Sequence, residues 1–157
     1  MLIDTHAHLE NVDNLDDILG RAKDAGVNKI ITIGTDMESS KGACNLALSK
    51  SAPGLEVYAA VGIHPGDGKS DVEKFGIDKC MEKLRKIIKT SEKVVGVGEA
   101  GLDYFAATEN SESKRKATSE DEKEYQKELF KAQIKLADEL DLPLVVHCRN
   151  AWDEIFD

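Results

Sequence analysis

Residues 94–104 read VVGVGEAGLDY, an apolar run without polar alternation that ends abruptly on a carboxylate, Glu99. A strand with one wet face alternates apolar and polar residues, whereas a strand covered on both faces, as in a parallel sheet, does not. Leu2-Ile3, Ile30-Ile31-Thr32-Ile33, Val57-Tyr58-Ala59-Ala60-Val61 and Leu144-Val145-Val146 carry the same signature. The expectation is five parallel strands, each buried on both faces.

Working outward, the intervening segments switch to helical spacing. Leu15, Ile18, Leu19 and Ala22 make one stripe, with Asp13 and Asn14 as cap candidates and Gly26 as a stop. Ile77, Cys80, Met81, Leu84, Ile87 and Ile88 make a second. Leu129, Ala132, Leu136 and Leu140 make a third, halting near Asp141 ahead of Pro143. Strands and helices in alternation predict an α/β fold, here a single domain over residues 1–157 with no repeat and no linker. The segment from Ala107 to Glu124 has no apolar residue larger than alanine and reads as a solvated loop. Lys114, Arg115 and Lys116 within it are flanked by acids.

Thirty acidic residues against 21 basic ones give a net charge of −9, which disfavours indiscriminate adhesion to nucleic acid or to an anionic membrane. An anionic ligand then needs a local positive centre, such as a metal. The three cysteines, Cys44, Cys80 and Cys148, are far apart and form no C-x-x-C pair, so neither a disulfide framework nor a thiolate zinc site is expected. No secretory leader and no membrane-length apolar run is seen, so the expected compartment is reducing: cytoplasm or nucleus.

The chemistry-bearing residues collect at one edge. His6 and His8 stand at i and i+2 at the end of the first strand, so both imidazoles leave the same face and can share a cation. Glu99 directly follows the fourth strand, His147 the fifth, and His64 lies just after the third. All five therefore sit at carboxyl ends of parallel strands, where such folds build their sites. Nitrogen and carboxylate donors suit Zn, Mn, Mg or Fe, and a carboxylate among histidines can bridge two ions that orient water for hydrolysis. His64, in GIHPGD, can serve as a donor to a substrate phosphate or merely orient a turn. Arg149, two positions after His147, can grip a phosphate bidentately. Asp103 reads as an orienter of a ligand or as a turn residue. Cys148 and Trp152 read as packing.

Five ordered segments, DTHAHL, GIHP, GEAGLDYF, QKELFKAQIKLADELDLPLVVH and HCRNAWDE, together resemble the TatD family of metal-dependent deoxyribonucleases. That resemblance implies an α/β fold of the TIM (β/α)8 barrel type, with a metallo-dependent hydrolase site that cleaves DNA, often as a 3′-to-5′ exonuclease. It implies that His6 and His8 bind one divalent ion, Glu99 bridges two, and His147 binds the second, with Glu99 catalytic and with His64 and Arg149 near the substrate. The ions would be Mg, Mn or Zn. Ala100 departs slightly from the family pattern, and the loop after Tyr104 is longer than usual. Members of the family continue through three more strand and helix units that supply a further histidine and an aspartate, and these are absent from the present sequence. Five strands make only part of an eight-stranded barrel, so two sheet edges are expected to be open to a second chain or to another copy.

Overall fold

Parallel neighbours cannot be joined by hairpins, so each strand must return through a crossover that covers the sheet. The computed structural model describes residues 2–105 and 118–156. Its strands are β1 (Leu2–Ala7), β2 (Val27–Ile33), β3 (Glu56–Val61), β4 (Val94–Asp103) and β5 (Leu144–Arg149). They pair in the order β1-β2-β3-β4-β5, and every pair is parallel. The crossovers carry α1 (Leu15–Asp24), α2 (Met37–Ser49), α3 (Lys69–Phe75), α4 (Ile77–Ile88) and α5 (Glu120–Leu140). The α/β fold is the one that the alternation of periods predicted, and its five parallel strands make a segment of a (β/α) barrel, as the family resemblance implied.

The main core lies between the central strands and the helices. Val57, Ala59, Val61 and Val97 are fully buried against helical residues that include Ala43, Cys44, Leu84, Leu129 and Leu136. Burial on both faces holds for β3 and β4 but not for the outer strands. Leu2 is 57% exposed, Ile3 48% and Val146 49%. β1 and β5 each have a neighbour on one side only. The apolar run in an outer strand therefore marks a surface that is uncovered among the described residues.

Helix α2 was not evident from apolar spacing because, after Met37 at its start, its buried face consists of small residues, Ser40, Ala43, Cys44 and Ala47. Its start is fixed by a reciprocal cap. The Asp36 carboxylate accepts from Ser39 N at 2.7 Å, and Ser39 Oγ accepts from Asp36 N at 2.9 Å. The loop expected to run through Glu124 ends earlier, since α5 begins at Glu120. Ser119 caps it by accepting from Glu122 N, and Glu120, Asp121 and Glu122 favour the positive end of the helix dipole. Lys114, Arg115 and Lys116 lie outside the described residues. No helix among the described residues is long and apolar enough to cross a membrane.

The backbone just beyond β3 approaches the middle of β4 so closely that a side chain cannot fit between them. A Cβ on Gly62 would stand 2.5 Å from the Cα of Gly98, next to Glu99. Gly62→Ala is therefore expected to destabilise the protein by about 1–3 kcal/mol. Gly20→Ala, at a helical position with nothing within 4 Å of the added carbon, should stabilise it by up to about 1 kcal/mol. Urea denaturation of the two variants beside the parent checks both signs.

Candidate metal centre

Where the strands end, side chains that faced the barrel axis run out of sheet and turn toward one another. His6, next to last in β1, has its Nε2 at 3.4 Å from Glu99 Oε2, and His8, just beyond the strand, has its Nε2 3.7 Å from the same oxygen. From the other side His147 Nδ1 approaches Glu99 Oε1 to 2.9 Å. Three imidazoles from opposite ends of the sheet thus converge on one carboxylate carried by β4. Glu99 is buried and its backbone N–H donates to Gly34 O at 3.0 Å, which fixes the residue at its base.

Protons decide what this cluster can hold. His8 Nδ1 is 2.8 Å from Ile33 O, and a carbonyl can only accept, so the His8 proton sits on Nδ1. Its Nε2 then presents a lone pair toward a carboxylate oxygen, which is also an acceptor. His147 is caught in the same way. Nε2 of His147 is buried, makes no hydrogen bond among the described residues and lies 3.4 Å from Asp103 Oδ2, while Nδ1 faces Glu99. With one proton on the ring, a lone pair faces a carboxylate whichever nitrogen bears it. A divalent cation between those lone pairs removes the conflict, and the nitrogen and oxygen donor set suits such an ion. His6, His8 and Glu99 form a group whose ligand atoms lie within 4.8 Å of one another.

Burial by itself would push the Glu99 carboxyl up. The His147 hydrogen bond and the charges of His6, His64 and His147 outweigh that cost and hold it below the usual carboxylate range. Glu99 is accordingly a ready anion at neutral pH.

A second group, His64, Asp103 and His147, also places its ligand atoms within 4.8 Å. The hydrogen bonds argue for a different use of His64. Its Nδ1 accepts from the backbone N–H of Gly66 at 3.1 Å and of Asp67 at 3.3 Å. The proton of the neutral ring is thereby driven to Nε2, making His64 a donor toward the site and a poor ligand. Burial and the neighbouring His147 keep the imidazole below its ordinary value, against the pull of Asp67, Glu99 and Asp103. Asp103 is buried, accepts from Phe105 N at 3.1 Å, and lies 3.8 Å from an Arg149 guanidinium nitrogen. Arg149 is half exposed and packs over the Phe105 ring at 5.2 Å. Trp152, read as packing from the sequence, is 67% exposed. Cys148, in contrast, packs beside the buried cluster of Leu102, Tyr104 and Phe130.

The sequence profile of the TatD-related DNases matches residues 3–157. The chain belongs to the TatD family. The metal-dependent hydrolase YabD of Bacillus subtilis, itself uncharacterized, is 35% identical over 99% of this chain and 53% of its own length. The deoxyribonuclease Tat-D of Schizosaccharomyces pombe is 33% identical over 96% of this chain and 45% of its own. A 3′-5′ ssDNA/RNA exonuclease TatD from Shigella flexneri is 31% identical over 88% of this chain and 45% of its own. Among solved structures, the TatD homolog YjjV of Escherichia coli K12 superposes with a TM-score of 0.74 at 34% identity, covering 98% of this chain and 53% of that one. This TatD-family chain therefore spans about half the length of the curated relatives it matches.

Within this TatD-family site, sequence reasoning missed the residues that hold the loops. Two buried glutamines of α5 each grip one backbone unit through both amide atoms. Gln133 accepts from Ile63 N at 2.8 Å and donates to Ile63 O at 2.9 Å. Gln126 accepts from Asp103 N at 2.8 Å and donates to Asp103 O at 3.1 Å. Ser40 of α2 does the same for Gly62, at 3.1 and 3.0 Å. Polar residues in the stripe of a buried helix face are the only sequence signal, and spacing alone does not say what they bind. Glu10, just beyond His8, was also passed over. Its side chain is buried to within 12% and lies behind the His8 ring.

The hydrogen-bond pattern makes a direct prediction for His64. In ¹⁵N spectra at neutral pH its ring should appear as the neutral tautomer protonated at Nε2, with Nδ1 unprotonated. A signal pattern showing the proton on Nδ1 would contradict the donor role.

Proposed function

We propose that this chain forms the larger part of a divalent-metal-dependent hydrolase site that cleaves DNA phosphodiester bonds, removing nucleotides from the 3′ end. The observation that carries the reading is the convergence of His6, His8 and His147 on Glu99, with the His8 Nε2 lone pair facing that carboxylate and one His147 nitrogen left facing either Glu99 or Asp103 with a lone pair. His6 and His8 would hold one ion, Glu99 would bridge, and His147 would hold a second. The ions would be Mg, Mn or Zn. Family membership and the deoxyribonuclease and exonuclease names of the relatives support the substrate class.

Bound at this centre, divalent ions supply Lewis acidity and a water activated at neutral pH. The remaining work falls to the chain. His64, with its proton on Nε2, donates to a non-bridging phosphate oxygen and cannot swing away while Gly66 and Asp67 hold Nδ1. Arg149, half exposed at the rim, takes a second phosphate oxygen, and its planar guanidinium sets the orientation of the strand. Asp103 stands between His147 and Arg149, orienting the first and drawing the second inward. In a chain of net charge −9, such local positive groups offset the general repulsion of a polyanion.

The open edges of β1 and β5 favour a role for a second surface. Leu2, Ile3 and Val146 are exposed apolar residues along them. We place a covering segment there, from another chain or another copy, since unpaired strand edges and apolar strand faces seek partners. A chain that takes up metal but turns nothing over, and is found associated by light scattering, fits a second reading in which this part binds without catalysing. The free cysteines favour a reducing compartment, cytoplasmic or nuclear.

The test is cleavage of end-labelled single-stranded DNA with Mg or Mn, beside chelator and Glu99→Ala controls. The expected outcome is metal-dependent shortening from the labelled strand's 3′ end, reduced at least 100-fold in Glu99→Ala. Equal cleavage by parent and variant would remove Glu99 from the mechanism. Metal uptake by the folded parent with no cleavage would select the binding-only reading.

A further inference from the structure

We propose that Glu10 is a positioning residue for metal capture, its buried carboxylate holding the His8 imidazole from behind and strengthening His8 Nε2 as a ligand. The inference rests on His6, His8 and Glu99 being a metal centre. Glu10 is 12% exposed, and its two oxygens have different situations. Oε2 accepts from Thr32 Oγ1 at 3.1 Å, and that hydroxyl, on a fully buried residue, itself accepts from Leu9 N at 3.1 Å. Oε1 is buried, makes no hydrogen bond among the described residues, and faces His8 Nδ1 at 3.7 Å.

A buried carboxylate oxygen without a hydrogen bond is costly, and anchoring Thr32 needs only the other oxygen. Its position supplies the reason for it. His8 Nδ1 carries the ring proton, donated to Ile33 O, so the Glu10 charge bears on the protonated side of the imidazole and pushes electron density toward Nε2. From behind His8 it also adds a second negative charge to the one that Glu99 brings to this corner, in surroundings where water screens little. The hydroxyl of Thr32 and the backbone of Leu9 keep that charge at its post.

The experiment titrates the full chain and its Glu10→Gln variant with Mn²⁺ by isothermal calorimetry and records metal-free melting temperatures. Glu10→Gln should weaken Mn²⁺ binding about tenfold or more. Its metal-free melting temperature should equal or exceed that of the parent, because an unbonded buried carboxylate oxygen is gone. A residue needed only for packing gives the reverse, a lower melting temperature with the parent's affinity. An unchanged Mn²⁺ affinity overturns the proposal whatever the melting temperature. If Glu10→Gln does not fold, Thr32→Val decides: it frees the carboxylate from its anchor, should weaken Mn²⁺ binding severalfold, and overturns the proposal if affinity is kept. Failure of the parent to bind Mn²⁺ overturns the metal centre along with it, whereas binding without DNA cleavage leaves this inference standing and removes only the nuclease reading.

Discussion

The buried Glu99 carboxylate is the point on which the arrangement turns. It stands inside β4, between Gly98 and Gly101 and not after the strand as its sequence position suggested, where the backbone just beyond β3 comes close, and it draws three imidazoles from the two flanks of the sheet. An anion so enclosed requires positive or donating neighbours, and the histidines can be only one such neighbour each. The proton inventory leaves the His8 Nε2 lone pair opposed to it. Much of the local structure follows: Gly62 and Gly98 give clearance, Ile33 O and Gly34 O orient His8 and Glu99, and Asp103 backs His147.

Parallel topology is what brings these residues together. His6, Glu99 and His147 belong to strands separated by long stretches of chain, yet each lies in the carboxyl-terminal half of its strand, and parallel pairing carries all such halves to one side. An antiparallel arrangement of the same segments would send half of them to the opposite side. The same topology leaves β1 and β5 as outer strands, so His6 and His147 sit on strands paired on one side only among the described residues, whereas Glu99 sits on a strand paired on both.

Much of this was legible in the residues. Continuous apolar runs located all five strands, and the i, i+2 spacing of His6 and His8 correctly placed both rings on one face. The stripe ending near Asp141 predicted α5, which closes there in the left-handed conformation. Burial of the outer strands was misjudged because an apolar run reports what a strand can tolerate, and neighbours decide what it receives. Helix α2 escaped notice because close packing on β3 selects small residues, which leave little contrast between faces. Trp152 was misplaced for a related reason: tryptophan is apolar enough for a core, and three residues beyond β5 only the fold shows that it faces outward. The orienting groups were the least readable, since Gln126, Gln133, Ser40 and Glu10 look like ordinary polar residues until their partners, distant in sequence, are known.

The glutamine pair of α5 has a mechanical meaning. Seven residues along a helix span about 10 Å, nearly two turns, so Gln126 and Gln133 emerge on one side of the rod at two separated points. Each is bolted to a backbone unit of a different strand, Asp103 on β4 and Ile63 just beyond β3. A rod fixed at two points can neither slide along its axis nor roll without breaking both fastenings. The residue next to one fastening is His64, and the other fastening is Asp103 itself, so the spacing between the His64 and Asp103 backbones is tied to the length of a helix. Fluctuations that would pull the two loops apart are converted into motion of the whole strut, which damps them.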